Sequence, residues 1–140
     1  MGPCENLVLQ FGAYNVDALY TKFAWHHLGA EGREINGILA GTDLDNDFEQ
    51  FERWDEYLSA TLTFPFRAEV TEFQERGPLR GGDMLVVHEI EDIEDGYGLI
   101  VRVKRGRKTF YVPLCDLTVV DKKSPNYRPV RLYAVWFANR

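Results

Sequence analysis

Leu99-Ile100-Val101-Arg102-Val103 and Lys108-Thr109-Phe110-Tyr111-Val112 are two apolar, β-branched runs flanking Arg105-Gly106. Residues of this kind fit a pleated, half-buried surface, and a short glycine turn between two such runs predicts a β-hairpin. Working toward the N-terminus, Met84-Leu85-Val86-Val87 follows a Gly81-Gly82-Asp83 turn. Phe66 to Phe73 alternates, with Phe66, Ala68 and Val70 on one face and Arg67, Glu69 and Thr71 on the other. Glu89 to Asp95, ended by Gly96, reads as an acidic loop, and Thr118-Val119-Val120 as a last short strand. Five short strands with brief connections predict a small SH3-like barrel, because closure leaves no open edge.

Helical periodicity surrounds this core. Val130, Tyr133, Trp136 and Phe137 form one stripe after Pro125. Asn15 is placed to cap a helix carrying Val16, Leu19, Tyr20, Phe23 and His27, with Gly29 as its stop. Ile35, Ile38 and Leu39 predict a further turn or two, closed by Gly41. Phe48, Phe51, Trp54, Tyr57 and Leu58 predict a longer helix, with Asp47 in the cap role and Gln50 three residues on, a capping-box pattern. That helix should fail before Thr61-Leu62-Thr63-Phe64-Pro65. The reading is an α+β fold of N-terminal helices, a five-stranded barrel and a C-terminal helix packed as one domain. Its parts are a helical extension over 1–41, an acidic segment and helix over 42–63, the barrel over 64–123 and the last helix over 124–140.

With 140 residues, 45% apolar and 14% aromatic, the chain can bury a core of its own. The net charge of −6 conceals a polarity. Residues 1–100 hold 20 acids and 6 bases, whereas residues 101–140 hold 2 acids and 10 bases. No apolar run approaches the ~18–20 residues that span a bilayer, and the first residues do not follow a secretory pattern. Cys4 and Cys115 lie 111 positions apart, which argues against a disulfide scaffold or a zinc site and fits a reducing cytoplasm. His26 and His27 are adjacent and would point about 100° apart on a helix, and His88 stands alone. No nucleophile–base arrangement or glycine-rich phosphate loop is present, so the chain does not read as an enzyme.

From Thr42 onward a set of features recurs in order. The acidic run Asp43, Asp45, Asp47, Glu49 precedes Trp54 and Tyr57-Leu58, and Leu62-Thr63-Phe64-Pro65-Phe66-Arg67-Ala68 follows. Gly82-Asp83 opens a valine-rich strand, and an acidic loop and Val112-Pro113-Leu114-Cys115-Asp116-Leu117 come after it. In these features, over about residues 42–140, the chain resembles the small bacterial calcium-binding protein family (cyanobacterial calcium-binding protein-like). The resemblance implies a non-EF-hand protein that binds Ca2+ through scattered acidic side chains and serves as a buffer or sensor.

Calcium is also physically sensible here. It takes about 6–8 oxygens, chiefly carboxylates and carbonyls. Residues 43–56 supply seven acids against one base, and residues 89–95 supply five acids. Carboxylates about 4 Å apart repel by roughly 1–4 kcal/mol near a surface, which a divalent ion relieves. An EF-hand loop starting at Asp43 fails, because its sixth position is Phe48 and its twelfth Trp54. The candidate ligands are Asp43, Asp45, Asp47 and Glu49, with Glu91, Asp92, Glu94 and Asp95 as a second group. The competing reading is a small-barrel interaction module. Arg102, Lys104, Arg105, Arg107 and Lys108 would dock an acidic protein partner or nucleic acid, the latter disfavoured by the acidic body and the scarcity of outward aromatics.

Overall fold

The computed structural model describes residues 25–71 and 78–140. The expected helix from Asn15 therefore falls mostly outside the described residues, as do Cys4 and the end of the alternating run at Phe73. The chain divides into two compact units, one ending at Gln50 and the other spanning Phe51–Arg140.

In the first unit a 3-10 turn, His26–Leu28, leads into helix α1, Ala30–Leu39. Gly29 joins them at φ 66, and its carbonyl accepts the Arg33 N–H at 3.0 Å. A Cβ at Gly32 would run into the Trp25 carbonyl, so glycine lets the turn lie directly on the helix. Ile35 and Leu39 of the expected stripe are fully buried. The helix stops where the Thr42 N–H and Oγ1 both bond to the Leu39 carbonyl, at 3.0 and 2.6 Å.

Helix α2 runs Asp47–Thr61. From Phe51 on, the second unit contains strands β1 (Phe66–Val70), β2 (Met84–Glu94), β3 (Gly98–Arg105), β4 (Lys108–Pro113) and β5 (Leu117–Val119), then helix α3, Tyr127–Asn139. The architecture is α+β. The strands are antiparallel to their neighbours in the order β4-β3-β2-β1-β5. This corrects the expected barrel: β4 and β5 lie at opposite edges and do not pair, so the sheet is open. A three-residue β5 that pairs only with β1 cannot close it.

A second correction concerns residues 89–95. Residues 89–94 are not a loop: β2 continues through Glu94, pairing Glu89 with Arg102, Ile90 with Val101, Asp92 with Ile100 and Ile93 with Leu99, and Asp95 lies in the turn that follows. Carboxylates are poor strand formers, but the ladder to the apolar β3 carries them. The register shifts between Val87 and Glu89 and between Ile90 and Asp92, leaving His88 and Glu91 as extra residues in two β-bulges.

The helices of this unit bring together an aromatic core. Trp54 lies 5.6 Å from Trp136 and 5.5 Å from Tyr133 between ring centroids, and Phe51 meets Trp136 edge-on at 5.4 Å. Offset and edge-to-face pairs of this kind each contribute about 0.5–1.5 kcal/mol beyond area burial. The Tyr133 hydroxyl accepts the Leu99 N–H at 3.0 Å. Gly98 sits beneath, at φ 73, where a Cβ would strike the Tyr133 hydroxyl and the Phe51 and Phe137 rings. Of the expected stripe, Val130, Tyr133 and Trp136 are buried, together with Pro129 and Leu132, while Phe137 is half-buried.

Candidate metal centre

The first acidic group is organised by hydrogen bonds around the start of α2. Asp43 Oδ1 accepts the Asp45 N–H at 2.9 Å, and the Asp43 carbonyl accepts the Asn46 N–H at 3.0 Å and the Gln50 side-chain amide at 3.1 Å. Asn46 Oδ1 accepts the Glu49 N–H at 3.0 Å, and Glu49 Oε2 accepts the Asp43 N–H at 2.6 Å. The helix cap is therefore Asn46, not Asp47, which is the first helical residue. The Asn46-x-x-Glu49 spacing carries the same signal one position earlier, and Asp47 is exposed beside the positive helix end.

These bonds leave part of the Asp43 and Glu49 carboxylates uncommitted. A carboxylate offers about four lone-pair sites over two oxygens. Asp43 and Glu49 each commit one oxygen to a backbone N–H and keep the other, while Asp45 and Asp47 are exposed. Further along α2, Asp55 accepts the Ser59 hydroxyl at 3.1 Å and Glu56 stands 3.7 Å from Arg53, so those acids serve the helix surface.

The second group occupies the β2–β3 hairpin. Glu94 pairs with Gly98, so Asp95, Gly96 (φ 84) and Tyr97 form the connection. Glu91, Asp92, Glu94 and Asp95 are all exposed. Asp92 Oδ1 accepts the Ile93 N–H at 2.8 Å, and Glu91 sits in a bulge that breaks the strand's regular alternation.

Among the described residues no three His, Cys, Asp or Glu side chains form a group that could hold a metal ion. The donors nonetheless fit calcium in kind, being carboxylate and backbone oxygens without nitrogen or sulfur. His26 and His27 are exposed on the 3-10 turn, and His88 lies in the first bulge of β2, the strand that also carries Glu91, Asp92 and Glu94.

The basic residues cluster at the other end of β3. Gly106 (φ 62) and Arg107 form a two-residue connection between the paired Arg105 and Lys108, with glycine at the first position as a tight hairpin favours. Arg102 bonds Glu89 Oε1 through Nε and Nη2 at 3.1 and 3.0 Å. Arg105 reaches Asp83 Oδ2 at 3.2 Å, and the same oxygen accepts the Arg80 N–H at 2.9 Å. Asp83 thus organises both its own turn and the basic hairpin, a role that the Gly82-Asp83 turn signal did not disclose. Lys104, Arg107 and Lys108 are exposed.

This open antiparallel sheet, with oxygen donors set at a helix start and along one hairpin, belongs to a known lineage. The chain is a member of the CcbP family, described by calcium binding, whose model matches residues 37–137. Two solved structures share the fold. One is a crystal structure of Anabaena CcbP, with TM-score 0.60 and 17% identity over 75% of this chain and 89% of that one. The other is a calcium-binding protein in its calcium-binding form, with TM-score 0.60 and 17% identity over 78% of this chain and 90% of that one. No curated protein sequence matches the chain. Among the described residues no helix is long and apolar enough to cross a membrane.

Proposed function

We propose that this chain binds Ca2+ without an EF-hand and acts in the cytoplasm as a calcium buffer or sensor, not as an enzyme. Asp43, Asp45, Asp47 and Glu49 supply the first set of oxygens, and Glu91, Asp92, Glu94 and Asp95 the second. The observation that carries the reading is that the family match over residues 37–137 encloses both acidic groups. Bound calcium supplies positive charge that offsets carboxylate repulsion. The ligands are not gathered into a ready cage, so part of the binding free energy goes into ordering them. Site rigidity is one of the determinants of calcium affinity, which places this chain on the weaker side of a rigid site with equal charge.

Isothermal titration of the metal-stripped chain with calcium and with magnesium tests the proposal. A calcium-selective isotherm weakened by Asp43→Asn or Asp47→Asn is expected. Heat no greater than dilution at low salt contradicts it.

A further inference from the structure

The two charged tips of the sheet sit at opposite ends of one strand. β3 is eight residues long, which separates its ends by about 23 Å at ~3.3 Å per residue. At the Gly98 end Glu94 and Asp95 are exposed at the β2–β3 connection, and Glu91 and Asp92, also exposed, lie further along β2 beside Val101 and Ile100. At the Arg105 end is the β3–β4 connection with exposed Lys104, Arg107 and Lys108. The Debye length is ~8 Å at physiological ionic strength, so neither tip can neutralise the other within one molecule.

Shorter-range pairing does occur where the register permits it. Arg102 holds Glu89 directly across the ladder, and Arg105 holds Asp83. The residues left at the two tips are those beyond the reach of such pairs. Residues 51–140 contain 14 acidic and 14 basic residues, so the charge of this unit is separated, not unbalanced, and the chain's net charge of −6 lies in residues 1–50.

We infer that the basic β3–β4 tip of one molecule docks on the acidic β2–β3 tip of a second copy of the same chain. The contact is head-to-tail, each molecule presenting one tip of each sign. It uses exposed charges, so it is weak at physiological salt and strengthens as salt is removed. Calcium competes for the acidic tip, a consequence that rests on the function proposed above; the charge contact itself does not.

Sedimentation velocity in EDTA tests the docking, with circular dichroism confirming that each variant is folded. The wild type at low ionic strength should show a sedimentation coefficient rising with concentration, and added salt should abolish the rise. Arg107→Glu/Lys108→Glu and Glu94→Lys/Asp95→Lys should each lose the concentration dependence, and mixing the two variants should restore it. The neutral pair Glu94→Gln/Asp95→Asn should weaken association without reversing charge. A wild type monomeric at every salt concentration overturns the inference, as does association indifferent to both reversals. Capture of duplex DNA by the basic tip without self-association also overturns it. If complementary mixing restores association while calcium produces no titration heat, the docking stands and the calcium reading falls.

Discussion

Asn126 holds both backbone groups of Thr63, a residue 63 positions away. Its Oδ1 accepts the Thr63 N–H at 2.9 Å and its Nδ2 donates to the Thr63 carbonyl at 2.9 Å. Asn126 precedes α3 at the cap position yet makes no side-chain bond to that helix. Its amide instead ties the start of α3 to the segment between α2 and β1, and it is 4% exposed. Asn126→Asp keeps the acceptor and loses the donor, leaving the Thr63 carbonyl facing a buried carboxyl group. A loss of about 1–3 kcal/mol is expected, read as a lower urea midpoint with an unchanged slope.

Tyr133 provides a second stability test. Burial pushes its phenol pKa up, opposed in part by the hydrogen bond from the Leu99 backbone. An unfolded tyrosine ionises near pH 10. Below that pH both states keep the proton and stability does not depend on it. Above it the unfolded chain alone releases the proton, so stability falls as pH rises until the folded group also ionises. Tyr133→Phe should flatten this alkaline loss, while costing about 1–3 kcal/mol at neutral pH because the buried Leu99 N–H loses its acceptor. Unfolding curves at pH 8 and pH 11 separate the two effects.

Gly98 faces that same hydroxyl. Gly98→Ala combines a left-handed backbone at φ 73 with a Cβ pressed against Tyr133, Phe51 and Phe137. About 3 kcal/mol of destabilisation is expected from strain and overpacking together. Gly96→Ala, also at positive φ but with open space around its Cβ, isolates the backbone part at about 1–2 kcal/mol. Thermal unfolding of the two variants measures the difference.

Asn46→Ala removes the α2 cap and should cost about 0.5–2 kcal/mol. Asp47→Ala removes a favourable charge near the helix start, about 0.3–1 kcal/mol. If the larger loss follows Asp47, the assignment of the cap is wrong. Chemical denaturation followed by far-ultraviolet circular dichroism makes the comparison.

The parts of the fold legible in the sequence are those set by local pattern. The alternation of Phe66, Ala68 and Val70 buries all three, Gly106 marks the hairpin connection, and Val130, Tyr133 and Trp136 lie inside. What was not legible depends on partners far along the chain. Strand character at Glu89–Glu94 comes from pairing with β3 and from two bulges, which residue propensity opposes. Closure of the sheet depends on whether β4 and β5 meet, which neither strand's own residues specify. The acidic groups are visible as composition, whereas the oxygens that converge on an ion are decided by side-chain rotamers.

We propose that calcium is bound through the two acidic groups, Asp43 to Glu49 and Glu91 to Asp95. Equilibrium dialysis against calcium, with protein-bound metal counted per chain, tests it most directly when the wild type is compared with Asp43→Asn/Asp47→Asn and with Glu94→Gln/Asp95→Asn. The wild type should retain calcium in the presence of magnesium, and each variant should retain less. Equal retention by all three chains, or none by the wild type, would contradict it.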